Sequence, residues 1–126
     1  MKKTILAAVA ALATAAPAWA ADPIVGLWQS QPGETGGRIH VEMYECGPSI
    51  CGVIRQVVGN ANTSVVGKRM IWDMAPQGGN RYSGGRIWAP DNDKVYRSKM
   101  TLQGNALEVE GCVGPFCRGQ TWTRLQ

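Results

Sequence analysis

Charge of either sign is scarce in this sequence, and phenylalanine and histidine each occur once. Charged residues account for 17% of the 126 residues and hydrophobic ones for 44%, which is typical of a folded domain rather than a disordered chain. The net charge is +4, and it falls to +2 if Lys2 and Lys3 leave with an N-terminal leader. Such a small excess does not favour nucleic acid or an anionic membrane as a partner.

No hydrophobic run in the sequence reaches the roughly 20 residues that span a bilayer. The apolar residues 4–16 follow a short basic start and precede Ala18-Trp19-Ala20, which places small residues at the two positions that a signal peptidase reads. This pattern predicts a cleaved signal peptide of residues 1–20 and one mature domain of residues 21–126, rather than a membrane anchor. The two-lysine leader is typical of bacteria, so we expect a periplasmic or secreted protein without an integral membrane segment after cleavage.

Cysteine occurs only as two similarly spaced pairs. Cys46 and Cys51 enclose Gly-Pro-Ser-Ile, and Cys112 and Cys117 enclose Val-Gly-Pro-Phe. An exported chain meets an oxidising compartment, and loops of this composition reverse a strand. Of the three possible connectivities we therefore predict the local disulfides Cys46–Cys51 and Cys112–Cys117. Zinc favours closer cysteine spacings, often with histidine, and His40 is the one histidine, so no metal or other cofactor is predicted.

The mature sequence lacks any helical pattern of about ten residues. Short alternating segments are separated instead by turns rich in glycine, proline and asparagine, which indicates strands. In residues 69–74, for example, the alternation places Met70, Trp72 and Met74 on one face. About eight strands are predicted, at residues 24–29, 38–45, 51–58, 69–74, 81–88, 95–102, 106–111 and 119–125.

The predicted fold class is all-β. Consecutive strands with short links favour an antiparallel up-and-down β-barrel, since closure removes the exposed edges of a sheet. A sandwich or an open sheet is the alternative that the same pattern allows.

Two motifs at the ends of the strand pattern resemble those of calycin barrels, the lipocalins and avidins. Gly26-Leu27-Trp28 lies on the first predicted strand, and Trp122-Thr123-Arg124 lies on the last. The resemblance implies that Trp28 plugs one barrel end and that Arg124 covers its ring, with Gly26 as part of the same structural motif. A guanidinium over an indole contributes about 0.5–2 kcal/mol and shields apolar surface.

The order of motifs along the mature chain resembles one exported bacterial family, the domain of unknown function 2147. The motifs are Gly26-Leu27-Trp28, Cys46-Gly47, Cys51-Gly52, Gly84-Gly85-Arg86-Ile87-Trp88-Ala89-Pro90, Gly111-Cys112 and Gln120-Thr121-Trp122-Thr123-Arg124. The resemblance implies a leader followed by one small β-barrel, and it brings neither an assigned activity nor catalytic residues.

Catalytic patterns are weak in this sequence. His40 alternates with apolar neighbours, which favours a solvent-facing position, and a cysteine nucleophile is excluded if the cysteines are paired. Glu108 and Glu110 share the solvated face of their strand, so they do not form the facing carboxylates of a glycosidase. The segment Asp91-Asn92-Asp93 lacks the glycine and distal glutamate of a calcium loop, so a hairpin turn is predicted there.

The sequence therefore predicts a binding protein rather than an enzyme. An eight-stranded barrel holds one small ligand or is filled by its own side chains. In the first case the ligand is apolar or amphipathic, and the residues expected to line its site are Trp28, Met43, Met70, Trp72, Tyr96, Met100 and Trp122. In the second case a solid barrel acts through its surface, as an interaction module for another envelope protein.

Overall fold

The computed structural model describes residues 21–59 and 62–126, which form eight β-strands and one short 3-10 helix. The predicted leader, residues 1–20, lies outside the described residues. The 3-10 helix is Thr63–Val65, and the strands are β1 (Gly26–Gln29), β2 (Arg38–Cys46), β3 (Ser49–Val58), β4 (Arg69–Gly78), β5 (Arg81–Ala89), β6 (Lys94–Gln103), β7 (Ala106–Val113) and β8 (Phe116–Arg124).

Each strand pairs antiparallel with the next one along the chain, and β1 pairs with β8 to close a barrel. The closing contact is short, with Trp28 opposite Arg124 and Gln29 opposite Thr123. The predicted all-β up-and-down barrel is confirmed, and the sandwich or open sheet is wrong. Among the described residues, no helix is long and apolar enough to cross a membrane.

The barrel has two unlike ends, which follow from its up-and-down order. At the closed end lie the tight turns β2–β3, β4–β5 and β6–β7, together with residues 22–25 and the C-terminus. At the open end lie the described residues of the longer connections, 30–37, 59, 62–68 and 90–93, and the Gly114-Pro115 turn between β7 and β8.

Both predicted disulfides are present, one at each end of the barrel. Cys46–Cys51 joins β2 to β3 at the closed end, with 5.9 Å between the Cα atoms. Cys112–Cys117 joins β7 to β8 at the open end, with 4.0 Å between the Cα atoms. Each one spans a two-residue turn, so each fixes the end of a hairpin.

Strand β4 departs from simple alternation. Asp73 adopts a left-handed backbone conformation with φ of 57° inside the strand. Ile71 and Met74 on either side are both 0% exposed, while Trp72 lies outside the buried apolar cluster. The prediction that Trp72 shares a face with Met70 and Met74 is therefore wrong. The pairing of β4 with β3 shifts register twice, once on each side of Ile71, and each shift adds one residue to β4 and reverses its alternation.

Candidate functional site

The open end holds a cavity with two adjoining lobes. One lobe has a volume of about 480 Å³ and the other of about 520 Å³. Protein ligand sites commonly have volumes of about 300–1,000 Å³, so either lobe is large enough for a small molecule. The lobes share five lining residues, which makes them parts of one opening: Gln31, Met70, Pro90, Asp91 and Gln120.

The floor of this open-end cavity is apolar. Ile87 from β5 and Val109 from β7 lie beside Met70 and Trp122. All four side chains are at most 9% exposed, so they form a continuous packed surface under the opening. The Trp122 Nε1–H donates to Gln120 Oε1 at 2.6 Å, which satisfies the one polar atom of the indole.

Gly111 leaves room in the wall of the cavity. A Cβ placed there would lie 3.6 Å from Tyr96 Cβ and 3.7 Å from Ile87 Cγ2, which is ordinary van der Waals contact. The absence of a side chain at this inward position of β7 therefore contributes volume directly to the larger lobe, which Gly111, Tyr96 and Ile87 all line.

The rim of the cavity is polar and includes one acidic and one basic side chain. Asp91 lies on the β5–β6 connection, and Arg118 extends from β8. Within residues 21–59 and 62–126 the guanidinium of Arg118 makes no hydrogen bond or ion pair, since the one ion pair there joins Arg55 to Glu42. The Gln31 side chain accepts a hydrogen bond from the Thr121 N–H and so ties the first connection to β8.

The closed end, in contrast, has its apolar surface covered. Trp28 is 0% exposed, and its Nε1–H donates to the Ile24 carbonyl at 2.9 Å. The guanidinium carbon of Arg124 lies 4.3 Å from the centroid of the Trp28 ring. The same guanidinium donates to the Val25 carbonyl at 3.2 Å and the Pro23 carbonyl at 2.6 Å, so residues 22–25 are fixed across the barrel end.

Gly26 makes this arrangement possible. Its φ of 146° lies outside the range that L side chains adopt readily, and a Cβ there would approach the Gln126 carbonyl oxygen within 2.2 Å. The C-terminal residue also accepts a hydrogen bond from the Leu27 N–H at 2.9 Å. Glycine at this position therefore lets the C-terminus pack against β1 beneath Arg124.

A buried polar contact completes the closed end. The Tyr82 hydroxyl donates to Asp22 Oδ1, and the same carboxylate oxygen accepts from the Ile24 N–H at 2.9 Å. Burial raises the pKa of Tyr82 well above its ordinary value, the hydrogen bond and charge of Asp22 raise it further, and Arg124 acts in the opposite direction. Tyr82 therefore stays protonated and acts as a hydrogen-bond donor.

The residues predicted to line a ligand site separate into three groups. Met70, Tyr96 and Trp122 line the open-end cavity. Three others, Trp28, Met43 and Met100, are at most 1% exposed and line neither lobe, because they fill the barrel below the floor. Trp72 lies on the outer surface with the Arg69 guanidinium 5.5 Å from its ring centroid, since the register shifts on either side of Ile71 leave it facing outward.

Sequence reasoning missed several residues of the cavity. Val109 follows the predicted alternation of β7, and the same alternation on β8 places Phe116, Arg118 and Gln120 on the inner side with Trp122. The periodicity of those strands was the available signal. It shows which face a side chain lies on, but not its height along the barrel axis, which decides between the cavity and the packed core.

The described residues contain no group of three or more His, Cys, Asp and Glu side chains that is arranged to hold a metal ion. His40 Nε2 lies 3.0 Å from Gln29 Oε1 on the adjacent strand. Trp88, part of the predicted family motif, donates from Nε1 to Asp93 Oδ1 at 2.7 Å and has the Lys68 ammonium 4.9 Å from its ring. These contacts give structural roles to His40, Trp88 and Asp93.

Comparison with known proteins now identifies the chain's relatives. Residues 26–124 match a family described as uncharacterised proteins conserved in bacteria, the domain of unknown function 2147. The chain belongs to this family. The match covers all eight strands of the barrel.

The fold of this family member also resembles a solved barrel. Protein HP1028 from the human pathogen Helicobacter pylori, described as belonging to the lipocalin family, superposes with a TM-score of 0.69. The two chains share 19% sequence identity, and the similarity covers 82% of this chain and 83% of that one. Among curated proteins, no sequence matches the chain. At this level of identity the likeness concerns the lipocalin-like fold.

Proposed function

We propose that this protein is a non-catalytic, exported bacterial binding protein that holds a small apolar or amphipathic molecule in its open-end cavity. The observation that carries the proposal is the apolar floor of Met70, Ile87, Val109 and Trp122 beneath a polar rim. Such a site buries the apolar part of a ligand and leaves its polar part at the rim. The lipocalin-like fold supports the same function by analogy.

The geometry also limits the ligand. The cavity occupies the open half of the barrel, because Trp28, Met43 and Met100 fill the other half. Burial of a methylene contributes roughly 0.8 kcal/mol, so the affinity rises with the length of the ligand's apolar chain only until the open-end cavity is full. We expect micromolar dissociation constants, which correspond to about 8 kcal/mol of binding free energy.

Export is part of the proposal. The leader pattern of residues 1–20 and the two disulfides support a periplasmic or secreted location. The single mature domain would then comprise residues 21–126. Intact-mass measurement of protein from an exporting bacterial host checks this directly, with a chain that begins at Ala21 as the expected result.

The binding experiment is a titration of exported, delipidated protein with fatty acids of increasing length. Trp122 forms the floor, so we expect its emission to change as ligand displaces water from the cavity, with calorimetry giving the affinity. The affinity should rise with chain length and then become constant. A flat response across the whole series would contradict the cavity as a ligand site.

A matched pair of variants locates the bound molecule. Gly111→Leu adds an apolar side chain to the wall of the larger lobe and should weaken binding at least tenfold. Thr101→Leu makes a similar addition on β6 away from the cavity and should leave binding unchanged. Equal affinities for both variants would show that the fatty acid binds elsewhere on the molecule.

The alternative is a barrel that acts through its surface as an interaction module for another envelope protein. It is favoured by the filled half of the interior, where Trp28, Met43, Met74 and Leu107 are each 0% exposed. In that case the fatty-acid series gives no calorimetric signal, and the exposed rim of the open end becomes the first surface to test.

A further inference from the structure

We propose that the open rim of the barrel docks on an anionic lipid bilayer, so that the cavity mouth faces the membrane surface. The docking element is a rim patch made of three apolar and three basic residues on β6, β7 and β8: Val95, Val113, Phe116, Lys94, Arg97 and Arg118. The docking depends on this patch alone. Transfer of a ligand between bilayer and cavity would rest on the proposed function.

The first observation is where the exposed apolar side chains lie. Six large hydrophobic side chains are exposed among the described residues, and five of them are at the open end. Phe116, the one phenylalanine of the chain, is 76% exposed, and its cross-strand neighbour Val113 is 64% exposed. Exposed aromatic and aliphatic side chains that cluster at one end indicate an interaction surface, whereas scattered single ones are normal in folded proteins.

The second observation is the charge around these apolar residues. The segments 94–97 and 111–118 contain Lys94, Arg97 and Arg118 and no acidic residue. The nearest acidic residues are Asp93, which accepts a hydrogen bond from Trp88, and Asp91, which lines the cavity on the β5–β6 connection. A basic patch of this kind complements a surface of anionic headgroups, where each cation strengthens binding about fivefold.

The net charge of the chain conceals this asymmetry. Acidic residues outside the rim patch, such as Asp22, Glu45 and Asp91, offset its three basic residues in the total. The net charge of the whole chain therefore does not describe the rim patch, because it also counts charged residues far from it. The charge of the end that approaches the membrane matters most, since screening limits the electrostatic interaction with the headgroups to about 8–10 Å in physiological salt.

The patch is also held in a fixed shape. The disulfide Cys112–Cys117 crosses the hairpin one residue below Val113 and Phe116. The Arg97 guanidinium donates to the Gly114 carbonyl, which ties β6 to the turn at the tip. A rigid apolar tip with basic residues beneath it loses little conformational entropy when it enters the interfacial region of a bilayer.

The experiment measures binding of exported protein to vesicles of phosphatidylcholine with and without phosphatidylglycerol, by co-sedimentation at low and physiological salt. We expect binding to the anionic vesicles that weakens as salt rises, and little binding to pure phosphatidylcholine. Phe116→Ser should lower the affinity about tenfold, as expected for loss of an inserted aromatic side chain. The double substitution Lys94→Glu with Arg118→Glu should abolish binding.

Two closed-end variants are matched controls. Leu125→Ser removes an apolar side chain that is 41% exposed, and Arg81→Glu reverses an exposed charge at the same end. Both should bind vesicles like the wild type, and thermal unfolding checks that every variant is folded. Wild-type binding by the rim variants, or equal losses in the closed-end variants, would overturn the proposal.

Gly111→Leu separates docking from the function of the cavity. It should keep vesicle binding while it loses fatty-acid binding in the absence of vesicles. Absent vesicle binding with normal fatty-acid titration would refute the docking and leave the proposed function intact. The converse result would support the docking and remove the cavity as a ligand site.

Discussion

The two ends of this barrel share a strand pattern and a disulfide each, yet they differ in almost every other respect. At the closed end, Trp28 is covered by Arg124, and residues 22–25 are fixed across the opening by side-chain hydrogen bonds. At the open end, the corresponding space is a cavity, and the hairpin tip with Phe116 extends into solvent.

The comparison shows how one barrel combines a packed end with an open cavity. A barrel needs closure of its sheet and a packed interior, and the closed half supplies both through fully buried large side chains. The open half therefore does not need a fully packed interior. Its inward positions include Gly111 and polar residues such as Gln120, which would weaken a core but suit a binding surface.

The largest expected difference between the ends concerns their tryptophans. Trp28→Ala should lower the free energy of unfolding by about 3–5 kcal/mol, because it leaves a cavity in the sealed end. Trp88→Ala at the open end removes a half-buried ring and should cost about 1 kcal/mol. Urea unfolding of both variants measures the two values, and equal losses would show that the open end is as important to stability as the closed one.

The strand order and the strand faces were accessible from sequence, for a physical reason. Alternation of side chains is a local property, so β6 and β7 were assigned correctly from residues such as Met100 and Val109. Closure was accessible too, because the motifs around Trp28 and Arg124 lie at the two ends of the strand pattern. In the structure those two residues are direct cross-strand partners.

The candidate site was less accessible, because it depends on long-range geometry. The two register shifts of β4, the second of which contains the left-handed Asp73, place Trp72 on the outer face, and the alternation of residues 69–74 does not signal them. Assigning Met43 and Met100 to the filled half, and Met70 to the cavity floor, needs the height of each residue in the closed barrel. Height follows from the register of all eight strands together, which local patterns do not specify.

Two arginines that project from the same strand give a finer test of the comparison. Arg124→Ala should lower the free energy of unfolding by about 1–2 kcal/mol, since it uncovers Trp28 and removes hydrogen bonds to residues 23 and 25. Arg118 lies at the rim, exposed and without an ion pair among the described residues. Arg118→Ala should therefore change the free energy of unfolding by less than about 0.5 kcal/mol. Thermal unfolding at neutral pH measures both variants, and a melting temperature unaffected by Arg124→Ala would contradict the role of this residue in sealing the barrel.

The smallest loss expected at the closed end, and the one with a distinctive pH dependence, is that of Tyr82. The Tyr82 hydroxyl donates to Asp22, so Tyr82→Phe should lower the free energy of unfolding by about 1 kcal/mol at neutral pH. Because burial and Asp22 raise the pKa of this group, the folded protein keeps a proton that the unfolded chain loses above about pH 10. The contribution is therefore fully present below that pH and is lost as the pH rises further.

The role of Tyr82 is therefore tested at alkaline pH, where its contribution to stability is lost. The wild type should lose stability more steeply than Tyr82→Phe above about pH 10, and one additional pH unit is worth about 1.4 kcal/mol for a single group. The difference in free energy of unfolding between the two proteins should therefore reach zero about one pH unit higher, near pH 11. Tyr96→Phe is the control at the open end, where the hydroxyl accepts from Asn92 Nδ2 at 2.8 Å. Denaturant unfolding at several alkaline pH values measures the free energy of unfolding of each protein. If the difference between wild type and Tyr82→Phe stays constant throughout, Tyr82 is not the protonated donor that ties residues 22–25 across the closed end.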